Sequence, residues 1–176
     1  DHIENYWRAL IQSGKADTNT AKYKAAVKLA QAHGFAYKTA TQIADSQLQD
    51  IINRVSSDLR SPQDVEAVLG GVEAPRITLS DCQQDYWGLV IDRTSNKSEH
   101  QKKKWENPRK AALNNFIALI GNKPILQVTR TDVLNFKSWC RDKIQEGWNT
   151  DTANKQLRFV KDILQTVATE NQLDID

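Results

Sequence analysis

Several features that mark common classes of protein are scarce in this chain. Its 176 residues include no methionine and only two cysteines, Cys82 and Cys140. Because neither a Cys-x-x-Cys pair nor a nearby pair of histidines occurs, the sequence predicts two reduced core thiols, without a disulfide, metal site or cofactor. The missing methionine has two explanations: the chain is a segment of a longer protein, or methionine positions have dropped out of the sequence, which would compress some spacings.

Long apolar runs and a leader-like start are also absent. No apolar stretch approaches the roughly 18 residues that a membrane-spanning helix needs. The first residues, DHIENYW, contain neither a basic start nor an apolar stretch, which argues against a secretory signal. No cluster of His, Asp and Glu, and no nucleophile spaced for activation by a base, points to a small helical enzyme. We therefore expect a cytoplasmic protein with no membrane partner.

Positive charge is concentrated in one part of the chain. Residues 1–75 contain eight Lys and Arg against nine Asp and Glu, whereas residues 76–176 contain 16 against 13. Residues 93–110 alone contain seven basic residues and two acidic ones. Local positive charge of this kind is what contact with a phosphate backbone requires.

The spacing of apolar residues predicts an all-α protein. In the first part, helices are expected at residues 18–33 and 41–59, and Ser61-Pro62 should begin a shorter one. The core side of the 41–59 helix is expected to consist of Ile43, Leu48, Ile51, Ile52, Val55 and Leu59. The linker candidate GGVEAP at residues 70–75 separates a helical N-terminal domain, 1–72, from a second domain, 73–176.

The second domain is predicted to contain four helices. The first should begin with a capping box formed by Ser80 and Gln83, and a basic segment to about Asn107 should precede the next. Thr129-x-x-Asp132 predicts the start of the third helix, and Asn149 or Thr150 that of the fourth. The residues expected to face the core are Cys82, Tyr86, Leu89 and Val90, then Leu113, Phe116, Ile117 and Ile120, then Val133, Phe136, Cys140 and Ile144, and finally Leu157, Val160, Leu164, Val167 and Ala168.

This second domain resembles the SAM-like core-binding domain of tyrosine recombinases, the family of the phage integrases. The resemblance rests on FIALIGNKPILQVTRTDV at residues 116–133, where a helix ends at Gly, a turn containing Pro follows and Thr caps the next helix. TANKQL at residues 152–157 is similar to the family's entry into the fourth helix. The resemblance implies a four-helix bundle that binds double-stranded DNA at a recombination core site, with other recombinase protomers as partners and a bacterial or phage origin.

The catalytic signature of the family does not occur in this sequence. A tyrosine recombinase uses an Arg, a His-x-x-Arg pair and a nucleophilic Tyr. None of the three histidines, His2, His33 and His100, is followed three residues later by arginine. We therefore expect no catalytic residues and no DNA cleavage by this segment, although its parent protein would break and rejoin DNA.

The resemblance places DNA contacts on the second and fourth helices of the bundle. On the second helix and the segment before it these are Lys102, Lys103, Lys104, Arg109 and Lys110, and on the fourth they are Thr152, Asn154, Lys155, Arg158 and Lys161. Lysines contact phosphates without reading sequence, whereas Arg and Asn can also pair with the edges of bases. For the lysines, the alternative is a solvated helix surface.

Two further questions stay open at this point. The second domain could instead be a helical protein-interaction module, because SAM-like bundles also mediate association. The near-neutral charge of residues 1–72 weakens a role in DNA binding, which leaves contact with another protein or packing against the core-binding domain, the latter favoured.

Overall fold

The computed structural model describes residues 2–12 and 19–175, and these form helices joined by short turns. No β-strand occurs in these two ranges, where the only bridge is an isolated one between Thr78 and Pro124. The all-α class is therefore confirmed. The chain divides into two compact units, Asp1–Pro75 and Arg76–Asp176, which places the division after Pro75 where the sequence predicts it after Val72.

The first unit is organised around one central helix. Its helices are α1 (His2–Gln12), α2 (Asn19–Ala32), α3 (Ala40–Ala44), α4 (Leu48–Val55) and α5 (Pro62–Val68). Helix α2 packs against both α1 and α5, and its Leu29 and Ala30 are fully buried. Ser61 caps α5 and Pro62 begins it, as predicted. Thr18, where the second helix was expected to begin, lies outside the described residues.

The prediction of a single helix over residues 41–59 is wrong, because this segment forms two helices, α3 and α4, with a break between them. At the break, the Ser46 hydroxyl donates to the carbonyl of Gln42 and accepts a hydrogen bond from Lys38. A side chain that bonds to the backbone in this way competes with helix continuation.

The break also changes which residues of α4 face the core. Leu48, Ile52 and Val55, expected to be buried, are exposed, while Arg54 is buried. The guanidinium of Arg54 donates to the carbonyls of Val68 and Ala36, both at 2.9 Å. A buried cation is costly unless it is hydrogen-bonded. The two carbonyls satisfy Arg54, so the side of α4 that carries it can face inward.

The second unit is a bundle of four helices. They are α6 (Leu79–Leu89), α7 (Glu99–Ile120), α8 (Arg130–Gln145) and α9 (Thr150–Glu170), with 3-10 turns at Ile91–Arg93 and Ile125–Gln127. Helix α9 packs against the other three, and its Ile163 and Val167 are fully buried at the centre. Among the residues expected to face the core, Leu113 and Phe116 of α7 and Phe136 and Cys140 of α8 are buried.

Three expectations about this unit need correction. Helix α6 begins at Leu79 and is capped by Thr78 rather than by Ser80, because Thr78 and Asp81 form the capping box. Part of the basic segment that was expected to precede α7 belongs to it, including Lys102, Lys103 and Lys104, since Ser98 caps the helix through Gln101. Val133, expected in the core, is 46% exposed. The residues expected in the core but only half-buried are Leu89, Ile117, Ile120, Ile144 and Leu157.

Two predicted helix starts are confirmed. Thr129 and Asp132 form a capping box at the start of α8, in which Asp132 also accepts hydrogen bonds from Lys123. Asn149 caps α9 by accepting from the backbone N–H of Asp151. Both caps satisfy backbone donors that the first turn of a helix leaves without partners.

The cysteines are both buried and not bonded to each other. Burial raises the pKa of the Cys82 thiol to about 12, with a smaller contribution from nearby Asp85. In the part of the chain that the structure describes, no group of His, Cys, Asp or Glu side chains is placed to hold a metal ion. No helix in the same ranges is long and apolar enough to cross a membrane.

Candidate nucleic-acid interface

The three consecutive lysines of α7 point in three different directions. Successive residues of an α-helix are rotated by about 100°, so Lys102, Lys103 and Lys104 cannot form one patch on their own. Lys102 is half-buried and its ammonium donates to Glu99 at 2.9 Å. Lys103 and Lys104 are exposed and form no ion pair with any described residue. Among the three, only Lys103 and Lys104 are therefore free of an ion pair in the described part of the chain, and Lys103 still acts on the pKa of Glu99, which it helps to lower.

Arg109 and Lys110 lie one to two turns further along α7. The guanidinium of Arg109 lies 3.8 Å from the centre of the Trp105 ring and 4.5 Å from that of Phe159 on α9. Its Nε is buried without a hydrogen-bond partner. Lys110 donates to Glu106 at 2.8 Å. Arg109 therefore joins two helices, and the charge of Lys110 is balanced within α7.

The exposed side of α9 carries the most open part of the predicted site. Asn154, Arg158 and Lys161 recur at i, i+4 and i+7, so they share one stripe of the helix, away from the buried Ile163. Neither Arg158 nor Lys161 forms an ion pair among residues 2–12 and 19–175, and Asn154 carries no charge. Thr152 is exposed as well.

The carboxylates of α9 do not neutralise the positive charges of Arg158 and Lys161 on this stripe. Lys155 is paired with Asp151 at 2.5 Å. Asp162, next to Lys161 in sequence, is engaged by Arg93 at 3.1 Å and by the hydroxyl of Tyr86 at 2.5 Å. Burial, together with the hydrogen bond to Asp162, raises the pKa of Tyr86. Arg158 and Lys161 therefore keep their charges available to a ligand.

The contact between α7 and α9 holds the two parts of the predicted site in one bundle. Asn115 of α7 donates to Gln156 of α9 at 3.2 Å, and Arg109 reaches Phe159 as described above. Of the ten predicted residues, Lys102, Lys110 and Lys155 are paired with carboxylates of their own helices, and Arg109 is packed between rings. Lys103, Lys104, Thr152, Asn154, Arg158 and Lys161 remain open to solvent.

A second basic stripe, on α8, was missed in the sequence. Arg130, Lys137 and Arg141 are exposed and unpaired among the described residues, and they lie at i, i+7 and i+11, on one side of the helix. Leu134, 53% exposed, lies between them. The spacing of these three residues contains the signal, but they are spread over 12 residues, whereas the lysines at 102–104 are consecutive.

The comparisons with known proteins identify no relative. No family model matches the chain, and neither a curated protein nor a solved structure matches it.

Proposed function

We propose that the second unit is the DNA-binding part of a phage-type tyrosine recombinase, one that holds the recombination core site during DNA integration or excision. The parent protein is then a cytoplasmic, bacterial or phage-encoded enzyme. Its strand cleavage belongs to a catalytic domain with the Arg, His-x-x-Arg and Tyr of that family. The sequence resemblance over residues 77–176 and the open polar stripe of α9 support this proposal.

The α9 stripe is the observation that carries the proposal. Arg158 and Asn154 lie one turn apart on an exposed helix face, and a single α-helix fits the major groove of B-DNA. Arg pairs with two acceptors of guanine, and Asn with a donor and an acceptor of adenine. Lys161, on the same stripe, suits a phosphate contact. Lys103 and Lys104 of α7 add contacts that give affinity without sequence preference.

Base recognition by α9 can be tested after the preferred duplex has been selected from a random pool. Arg158→Ala should weaken binding to that duplex by roughly 5- to 150-fold, the cost of one lost bidentate pair, and weaken binding to random duplexes far less. Gln165→Ala, an exposed position on the same side of α9, is the matched control. Equal losses of affinity for both duplexes would show that Arg158 contacts a phosphate and would contradict base recognition by α9.

A helical protein-interaction module is the second candidate. The observation in its favour is the pair of exposed apolar residues on α8, Val133 and Leu134. Such residues suit a protein partner better than a phosphate backbone. Absence of DNA binding at low salt would favour this candidate over the first.

A further inference from the structure

The exposed side of α6 is acidic. Asp81 and Asp85 lie one turn apart on α6, and Asp92 follows in the adjoining 3-10 turn. All three are exposed, and neither Asp85 nor Asp92 forms an ion pair with any residue that the structure describes. Partial burial, and next the neighbouring charge of Asp81, raise the pKa of Asp85. The acidic stripe therefore carries unrelieved repulsion.

The basic stripe of α8 is equally uncompensated, because the carboxylates of that helix are used elsewhere or lie on another side. Asp132 binds Lys123, and Glu146 binds Lys143 at 2.5 Å. Asp142 is exposed, but it follows Arg141 directly and so points about 100° away from it. Arg130, Lys137 and Arg141 therefore form no ion pair within the part of the chain that the structure describes.

The two stripes match in spacing when they run antiparallel. Acidic residues occupy positions 81, 85 and 92, which are four and then seven residues apart; basic residues occupy 141, 137 and 130, which are four and then seven apart in the reverse direction. Asp81 and Asp85 lie on α6, and Lys137 and Arg141 lie on α8, each pair about 6 Å apart along its helix axis. The pairs Asp81–Arg141 and Asp85–Lys137 can therefore face each other at once, while Asp92 lies in the 3-10 turn beyond the end of α6, outside this helical register.

The same antiparallel register also places an exposed leucine of α8 opposite a glycine of α6, which has no side chain to occupy the space. Leu134, three residues before Lys137, falls opposite Gly88, three residues after Asp85. Leu134 is 53% exposed, and the space above Gly88 is open, since a Cβ there would meet no atom within 4 Å. A leucine side chain can enter that space and lose its contact with water.

We propose that α6 of one copy of this chain binds α8 of a second copy, antiparallel, with Asp85 against Lys137 at the centre. Both stripes face solvent within a single copy. Each copy offers one stripe of each sign, so the contact either closes reciprocally into a two-fold dimer or builds rings or open chains. The proposal does not depend on DNA binding.

The association should be weak and sensitive to salt. Exposed ion pairs contribute little individually and are screened by salt, so two pairs and one leucine favour transient contact at high protein concentration. Sedimentation of the whole chain at about 0.1 M and about 1 M salt measures this, because the Debye length falls from about 10 Å to about 3 Å between them. The weight-average mass should rise with protein concentration at the lower salt and remain that of a monomer at the higher.

Charge reversal distinguishes this contact from other association. Lys137→Glu and Asp85→Lys should each weaken association by roughly tenfold, because a pair becomes a repulsion. Both substitutions in one chain should restore it. Asp142→Lys, on another side of α8, is the control and should leave the mass unchanged, and circular dichroism checks that every variant is folded.

Several results would overturn the proposal. These are a monomer at both salt concentrations, association that neither reversal weakens, and a double variant that fails to recover. If Lys137→Glu weakens DNA binding while the mass distribution stays the same, the α8 stripe is a DNA contact instead. A chain that associates as proposed but binds no DNA would contradict the proposed function alone.

Discussion

The guanidinium of Arg109 lies 3.8 Å from the centre of the Trp105 ring, one turn earlier on α7, and it donates to the Trp105 backbone carbonyl at 2.9 Å. The ring of Phe159 lies 4.5 Å away on its α9 side. A residue that the sequence presents as one of a row of DNA-binding cations is thus part of the contact between two helices.

Arg109→Ala should therefore lower the free energy of unfolding of the second unit by about 1–2 kcal/mol, since it removes a cation from between two rings and the packing of its half-buried stem. Urea unfolding followed by tryptophan fluorescence measures this. Lys104→Ala, exposed on the same helix, should change stability by less than about 0.5 kcal/mol. Equal stability of the two variants would contradict a structural role for Arg109.

The first unit should lose stability in acid through Asp64. The Asp64 carboxylate is fully buried and accepts hydrogen bonds from Arg8 at 3.0 and 3.3 Å. Burial acts to raise its pKa, but hydrogen bonds from Arg8, Ser61 and His33 outweigh it, so the pKa lies below its usual range. A carboxyl group whose pKa is lowered on folding stabilises the fold above its unfolded pKa of about 3.9, and that contribution is lost as the pH falls below it.

Asp64→Asn should remove this acid dependence. At neutral pH it should cost about 2 kcal/mol, because Arg8 loses a charged partner although it retains some contact with water. The free energy of unfolding of the variant should also fall less steeply than that of the wild type between about pH 5 and pH 2. Parallel pH profiles for the two proteins would show that Asp64 does not contribute as described.

Two glycines with similar backbone angles should respond differently to substitution. Gly34 and Gly70 have φ of 83° and 73°, but a Cβ at Gly34 would meet no atom within 4 Å, whereas one at Gly70 would lie 2.2 Å from the carbonyl oxygen of Lys38. Gly34→Ala should cost about 1 kcal/mol for the left-handed backbone alone. Gly70→Ala should cost about 3 kcal/mol or more because the backbone must also move. Thermal unfolding compares them, and similar losses would refute the close approach at Gly70.

The lysines of α7 should control how steeply DNA binding depends on salt. Lys103→Ala with Lys104→Ala should reduce the slope of log K against log salt by up to about 2, since each lost phosphate contact reduces it by about 0.9. Lys28→Ala, an exposed lysine in the first unit, is a control of the same charge and should leave the slope unchanged. If the double variant and the control have the same slope, these lysines belong to a solvated surface.

The caps of α5, α8 and α9 are predicted correctly because each depends on residues close together in the chain, although the cap predicted at Ser80 lies at Thr78. Thr129 with Asp132 and Asn149 bind backbone donors within their own first turns, so their roles can be read locally. The apolar side of α9 is similarly clear because it is long and continuous.

The inward side of α4 and the role of Arg109 could not be predicted in this way. Both depend on partners far away in sequence: the carbonyls of Val68 and Ala36 for Arg54, and the ring of Phe159 for Arg109. A short helix with an apolar side gives no information about which of its sides will meet the rest of the unit. The ion pairs within α7 and α9 differ in this respect, because they join residues only three or four apart and could be read from the spacing. They reduce the set of open cations that composition alone indicates.

Binding of this chain to a duplex of mixed sequence, measured at about 50 mM and about 200 mM salt, tests the central claim most directly. Four open cations in the predicted site, Lys103, Lys104, Arg158 and Lys161, predict binding that weakens by roughly a hundredfold between the two. No binding at the lower salt, or binding that is equally strong at both, would contradict the account.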